Sequence, residues 1–470
     1  MKFAGIGAVL LCVFLSACRN EDARDWSGVD TVFLNVAVID LEADTLTPDQ
    51  MLVLSDGVIQ SIEPAFPGSV PASIAVLDMD GRVVMPGLFD AHVHSFGPPL
   101  ERVRADQGLF IASGVTHVRE MGSGLANLQR ANAEIGDGPG PVMIAAGALV
   151  DGQSSPWLEN ALLVVATPEE ASEAVETLVE GGADFLKAYT DLSSDTYEAL
   201  LAAATASGLP VDGHVPRTVG FPAVASGSQR TVEHLDLWAL MACTPDGSDW
   251  AQRSINAKFG EGGWGAYFEV DAQFWDALDW DGCVRPGLDA MARRGAAYSP
   301  TLLMAMQARA RIDEDALVYL SSSDWCQRNL AGIEAATPQQ TSDHFEAMRE
   351  AFTQLRASGV PLIAGTDSQN YCMVPGMSLA WELSTWEELG ASAREALLAA
   401  TLTPARVFGM DDRIGQIAPG MEAHLVFLEG DPRQSLDLIR NPVGVYTQGR
   451  WYDGQALADL RAEAVRVSGN

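Results

Sequence analysis

The chain has 470 residues, of which 47% are hydrophobic, too many for one ordinary domain and enough for a large core plus an accessory domain. Against 63 acidic side chains stand 29 basic ones, a net charge of -34, which excludes nucleic acid and anionic lipid headgroups as partners. Polyanionic substrates are disfavoured for the same reason, and a small-molecule substrate is expected.

In chain order, Met1-Lys2 is a short positive start, and Phe3 to Leu15 is an apolar run too short for a confident membrane span. Leu15-Ser16-Ala17-Cys18 resembles the lipobox of bacterial lipoproteins, which are cleaved before the cysteine and lipidated on it. This implies a signal peptide over residues 1–17, a lipid on Cys18 and a polar tether over 18–30. The location implied is the bacterial cell envelope, periplasmic or outer-membrane, with the lipid as the only membrane attachment. Homo-oligomer formation is left open.

Thr31 to Asp40 and Met51 to Ile62 read as β-rich runs, with a hairpin at Ser55-Asp56-Gly57. Ala423 to Leu428 and Gly444 to Tyr452 have the same character. Residues 31–84 and 411–460 are therefore expected to pair into one small β-sandwich domain formed by both chain ends.

Between them, over residues 85–410, strand, loop and helix alternate. The predicted strands are Val83–His92, Val115–Glu120, Val142–Leu149, Phe185–Tyr189, Pro210–His214, Thr231–Leu235, Ala296–Pro300 and Pro361–Thr366. Most are continuous apolar runs, as expected of strands buried on both faces. Helical patterns such as Pro168–Glu180 and Ser194–Ser207 lie between them, with Gly181-Gly182, Gly208 and Gly359 at helix ends. Eight strands alternating with helices predict an α/β fold, a closed (β/α)₈ TIM barrel. Two connections are long. Ala239 to Gly282 carries Trp250, Trp264, Trp275 and Trp280 without clear periodicity, and reads as a substrate lid or as ordinary packing. Leu302 to Ser358 follows the seventh strand.

Four of the seven histidines fall at ends of predicted barrel strands: His92, His94, His214 and His234. The C-terminal end of a barrel strand faces the open mouth. Residues two apart on a strand share a side, so His92 and His94 can face one cation. Lys187 lies within an apolar strand, where an ammonium is costly. Carboxylation would turn it into an anionic ligand, and pairing with Asp367 is the alternative. Asp367 ends the eighth strand, where a carboxylate can take a proton from water and return it to a leaving group. Arg119, Tyr189, Arg217 and His117 lie near strand ends and are candidate substrate-binding residues. His344 and His424 read as surface or packing residues.

Pro-Gly-Leu-Phe-Asp-Ala-His-Val-His (86–94), Leu-Lys-Ala-Tyr (186–189), Gly-His-Val-Pro (213–216), Glu-His-Leu (233–235) and Ala-Gly-Thr-Asp (364–367) resemble the amidohydrolase superfamily. The subgroup is similar to the imidazolonepropionase-related enzymes, which include metal-dependent prolidases and other dipeptidases. The resemblance runs from about Thr31 to Tyr452. It implies two divalent metal ions, zinc the first choice. His92 and His94 would bind one, His214 and His234 the other, with Lys187 bridging as a CO₂-derived carbamate and Asp367 as ligand and base. The activity implied is hydrolysis of an amide bond by metal-activated hydroxide, on a dipeptide or N-acyl amino acid. A mononuclear cyclic-amide hydrolase or deaminase and a non-catalytic surface lipoprotein are the alternatives. The chain departs from the pattern at Arg119-Glu120, where Arg-Asp is usual, and at Ala423-His424-Leu425, where Ala-Asp-Leu is usual.

Outside Cys12 and Cys18 remain Cys243, Cys283, Cys326 and Cys372. Export permits disulfides, and Cys243–Cys283 and Cys326–Cys372 are the expected pairs, four reduced thiols the alternative.

Overall fold

The structure is a computed structural model. It describes residues 26–469, apart from 66–69, 98, 135–137, 154–160, 248, 260–262, 307–317, 321–325, 327–332, 334–335 and 371. The signal segment, Cys18 and most of the tether lie outside the described residues, as does much of the connection after residue 306. No described helix is long and apolar enough to cross a membrane.

Strands from the two ends of the chain share one ladder. Its order is Arg450–Asp453, Gly444–Thr447, Leu425–Leu428, Val83–Pro86, Thr31–Asp40, Thr45–Ser55 and Val58–Pro64, with Ala75–Asp78 also paired to Thr31–Asp40. Among the described residues the expected two-layer sandwich is not seen. The reason lies in Val83–Pro86, which pairs with Thr31–Asp40 on one side and Leu425–Leu428 on the other and so joins both ends into one sheet. Phe33, Leu52, Val84, Leu425 and Phe427 are buried together on this sheet, and the Phe33 and Phe427 rings lie 4.6 Å apart.

The run read as one strand from Val83 to His92 is two strands in different sheets. It breaks at Pro86-Gly87, where proline has no amide hydrogen to donate. The Gly87 amide instead donates to the His424 carbonyl at 2.8 Å. A side chain at Gly87 would collide with Thr116, whose Oγ1 lies 2.1 Å from where a Cβ would stand.

The remaining strands form two parallel sheets. Leu88–Val93, Val115–Glu120 and Val142–Ala145 make one, in that order. The other runs Leu162–Val164, Leu149–Asp151, Leu186–Ala188, Val211–Gly213, Thr231–Glu233 and Ala297–Ser299. Helices follow the strands, among them Pro168–Glu180, opened by a Thr167–Glu170 capping box, and Ser194–Ser207, closed by left-handed Gly208. The fold is thus α/β with parallel sheets. No continuous ladder closes them into one barrel among the described residues. Scattered backbone hydrogen bonds span the gaps, among them Asp184 to the Ala145 carbonyl, Tyr298 to Pro361, Ala91 to Ala364 and Asp367 to His92. The eighth predicted strand, Pro361–Thr366, is held by the bonds to Tyr298 and Ala91 and by an isolated bridge from Leu362 to Tyr298.

The stretch after the sixth strand is helical, contrary to its reading as aperiodic. Helices Asp249–Phe259 and Gly263–Ala277 occupy most of it. Trp264, Phe268, Asp271 and Trp275 have helical spacing and are all buried. Asp271 hides the stripe in the sequence, because a carboxylate interrupts it. In the fold it accepts from Trp275 Nε1 at 2.8 Å and lies 3.0 Å from His344 Nδ1. Cys243 is bonded to Cys283, and Cys326 to Cys372. A last helix, Gly454–Ser468, not expected from the sequence, starts at the Asp453 cap. It packs Leu457 and Leu460 against Ile111 of helix Leu100–Ala112.

Candidate metal centre

His92 and His94 come from strand Leu88–Val93 and the residue after it, and Asp367 from the turn after the eighth predicted strand. One atom from each lies within 4.8 Å of the others. Nε2 of His92 is 3.4 Å and Nε2 of His94 3.2 Å from Oδ1 of Asp367. Gly365 is needed for this approach, since a Cβ there would sit 2.6 Å from that of His92.

His214 and His234 extend the group. The ring centroids of His92 and His234 are 4.8 Å apart, as are those of His214 and His234. Lys187, fully buried on strand Leu186–Ala188, places Nζ 3.5 Å from Nε2 of His92. Each histidine commits its Nδ1 elsewhere: His92 to Glu233 Oε2 at 2.8 Å, His94 to the Gly122 carbonyl at 2.9 Å, His214 to Thr190 Oγ1 at 2.9 Å and His234 to Thr301 Oγ1 at 2.7 Å. Nε2 is then the nitrogen each would present to a cation, the arrangement a metal ligand needs.

The backbone is bent to make this possible. His234, Thr301 and Asp367 all adopt left-handed φ, at 65°, 45° and 60°. Non-glycine residues held there cost about 1–3 kcal/mol each and persist where surrounding structure enforces them. Glu382 does so beside Thr301, accepting from the Leu302 and Leu303 amides at 2.9 and 2.6 Å.

Electrostatics follow from burial. Burial alone would raise the Asp367 carboxyl, but the hydrogen bond from His94, with the surrounding imidazoles, outweighs it and holds it well below the carboxylate range. Burial and the Lys187 charge push His92 and His214 far down, so both stay neutral and able to ligate. Burial brings the Lys187 ammonium down to about 8, with Glu233 the largest opposing influence.

The four candidate substrate residues are placed differently. Tyr189 is half-buried and stacks on His214, centroids 4.1 Å apart. Arg217 is exposed, pairs with Asp191 and lies over the Trp238 ring at 5.8 Å. Arg119 is not at the mouth. It is fully buried and bound to Asp212, Thr231 and Glu233, because its strand position fixes which face it occupies but not its depth. His117 also lies away from the four histidines, stacked on Phe89 and 4.4 Å from the His424 ring. His344 and His424 are both buried.

Three residues of this neighbourhood were not singled out from sequence. Glu233 immediately precedes His234 in a quoted motif, and Asp212 lies two residues before His214, which was the available signal. Asn370 donates from Nδ2 to Asp367 Oδ1 at 2.7 Å and carried no signal at all. Glu120, where aspartate is usual, holds the turn after His94 by accepting from the Ser95 and Gly122 amides at 2.5 and 3.1 Å.

The chain matches the Amidohydrolase family over residues 83–452, well over half its length. No curated protein matches it significantly. Among solved structures it is similar to bottromycin amidohydrolase, at 25% identity over 93% of this chain and 90% of that one, with a TM-score of 0.71. It is similar in fold to a Xaa-Pro dipeptidase with methionine bound in the active site, at 19% identity over 90% of this chain and 100% of that one, TM-score 0.64. Molinate hydrolase is similar in fold at 16% identity over 92% and 96% of the two chains, TM-score 0.63. With its histidines and Asp367 grouped as described and the family pattern running through both the parallel strands and the return to the terminal sheet, the chain belongs to the amidohydrolase family.

Proposed function

We propose that this protein hydrolyses the amide bond of a small substrate, a dipeptide or N-acyl amino acid, using divalent metal held by His92, His94, His214, His234, Asp367 and a carboxylated Lys187. The observation that carries this reading is the set of four neighbouring imidazoles, each anchored through Nδ1, around a buried lysine and an ionised carboxylate. Three neutral or anionic donors within 4.8 Å suit a divalent cation such as zinc. When bound, such a cation supplies a Lewis acid for the carbonyl and makes water more acidic. Asp367 then has the proton work: its Oδ atoms take the proton of the attacking water and return it to the leaving nitrogen. Tyr189, stacked on His214, and Arg217, three residues further along the chain, would orient the substrate. The parallel sheets would form the wall of a (β/α)₈ barrel, with residues 361–367 as its eighth strand. The dipeptidase and bottromycin amidohydrolase likenesses support amide substrates.

A one-metal reading has an observation of its own, since the tight three-donor group contains only His92, His94 and Asp367. It would suit a cyclic-amide hydrolase or deaminase. Two disulfides support an oxidising compartment and, with it, export and anchoring through Cys18.

The test is metal analysis of purified protein together with a kinetic screen of dipeptides, N-acyl amino acids, lactones and cyclic amides. Two equivalents of metal and turnover of a linear amide are expected. One equivalent with cyclic-amide turnover selects the mononuclear reading, and metal-free protein inactive on the whole panel rejects both.

A further inference from the structure

Glu233 lies against His92, one of the four histidines. Its Oε2 accepts from Nδ1 of His92 at 2.8 Å, while both carboxylate oxygens accept from Nη2 of Arg119 at 2.8 and 2.9 Å, and Thr231 Oγ1 donates to Oε1. Arg119 is held from its other sides: Nε donates to the Ala91 carbonyl at 2.6 Å, and Nη1 to Asp212 Oδ2 at 3.0 Å and Thr231 Oγ1 at 2.9 Å. Asp212 is closed by Arg230, at 3.0 and 2.6 Å. Arg119, Asp212 and Glu233 are all buried.

Charge balance alone explains why these groups tolerate burial. It does not explain the contact with His92. Consecutive strand residues point to opposite faces, yet Glu233 and His234 both reach the same imidazole. Glu233 meets it at Nδ1, and the His234 ring lies 4.8 Å from its centroid. The left-handed backbone of His234, φ 65°, breaks the alternation and makes the double approach possible. One strand end thereby offers a site histidine and, from the preceding residue, a support for another histidine.

Resting on the metal reading above, we infer that Glu233, fixed by the Arg119 fork, is the positioning residue for His92: it fixes the Nδ1–H tautomer and the ring orientation, so that the Nε2 lone pair faces Asp367 and Lys187. The strain at His234 and the burial of two ion pairs serve that alignment. Losing such an outer partner typically weakens metal binding about 10–100-fold.

The experiment is cobalt(II) titration of the full chain, read by competition with a chromogenic chelator and by the visible ligand-field spectrum, with folding followed by thermal denaturation. Glu233→Gln is expected to weaken cobalt binding about 10–100-fold and to shift the spectrum. Glu233→Asp keeps the charge beside Arg119 but is one methylene short of His92, and is expected to do the same even where Glu233→Gln folds poorly. Asp271→Asn, a buried carboxylate of the helical insertion, serves as control and is expected to keep native affinity and spectrum. Native affinity and spectrum in folded Glu233→Asp would overturn the inference, as would an equal loss in Asp271→Asn. Absence of cobalt binding by the unmodified chain would overturn the metal reading and this inference together.

Discussion

His94 and Asp367, from the two ends of the parallel-strand region, meet with Nε2 3.2 Å from Oδ1. The contact keeps the carboxylate ionised against burial, and an ionised carboxylate is what proton transfer from water requires. Asp367→Asn preserves the shape and removes the base. Turnover should fall about 10²- to 10⁴-fold with little change in thermal stability. Steady-state kinetics on protein of measured metal content decide this, and half-native turnover would remove Asp367 from the proposed role.

Asn370 grips the same oxygen from the exposed side of the turn, at 2.7 Å. A hydrogen bond to a charged group contributes about 1.5–3 kcal/mol. Asn370→Ala should therefore lower kcat about tenfold, about 1.4 kcal/mol in the barrier, with a smaller loss of stability because the side chain is exposed. A drop in stability without a drop in kcat would make Asn370 a turn residue and nothing more.

Lys187→Ala should abolish activity, and added short-chain carboxylic acid should restore part of it by occupying the space a carbamate on Lys187 would fill. Nζ lies 3.5 Å from His92 Nε2, so the vacated volume borders the histidines. Failure of every such acid, in a folded variant that still binds metal, would count against a bridging carbamate.

Glu382 gives a pH signature separate from the histidine cluster. Burial raises its carboxyl from an ordinary 4.5 to about 7. Between those values the native state holds more protons than the unfolded state, so this group makes stability fall as pH rises from about 4.5 to about 7. Glu382→Gln removes the term. The decline in melting temperature from pH 5 to pH 7 should be shallower in the variant, and an unchanged slope would mean that Glu382 does not titrate there.

Cys243–Cys283 closes a span of 40 residues around the two insertion helices. Replacing both by alanine should cost about 2–4 kcal/mol in denaturant unfolding. Non-reducing peptide mapping checks the bonds directly, and four alkylatable thiols would contradict both.

Much of the centre was legible because strand ends and chemistry coincide. His92 and His94 sit two apart on one strand, and Gly-His, Glu-His and Gly-Thr-Asp punctuate later ones. Depth and pairing were not legible. Arg119 occupies the expected strand, but alternation says which face a residue takes and nothing of whether it sits at the mouth or below it. The split at Pro86-Gly87 was hidden because both halves are apolar. The single terminal sheet depends on residues hundreds of positions apart, and the helix Gly263–Ala277 was masked by Asp271 within its buried stripe.

The pairing of Val83–Pro86 with Leu425–Leu428 sets an order of events during synthesis. A chain emerging N-terminus first can pair Val83–Pro86 with Thr31–Asp40 early, but its other flank waits until nearly all of the intervening sequence has appeared. Throughout that interval an apolar strand offers unpaired amides and carbonyls to any passing neighbour. Late-closing, long-range pairing of this kind is slow and exposes nascent chains to association. A chain stopped short of Leu425 would keep that flank permanently open to self-association.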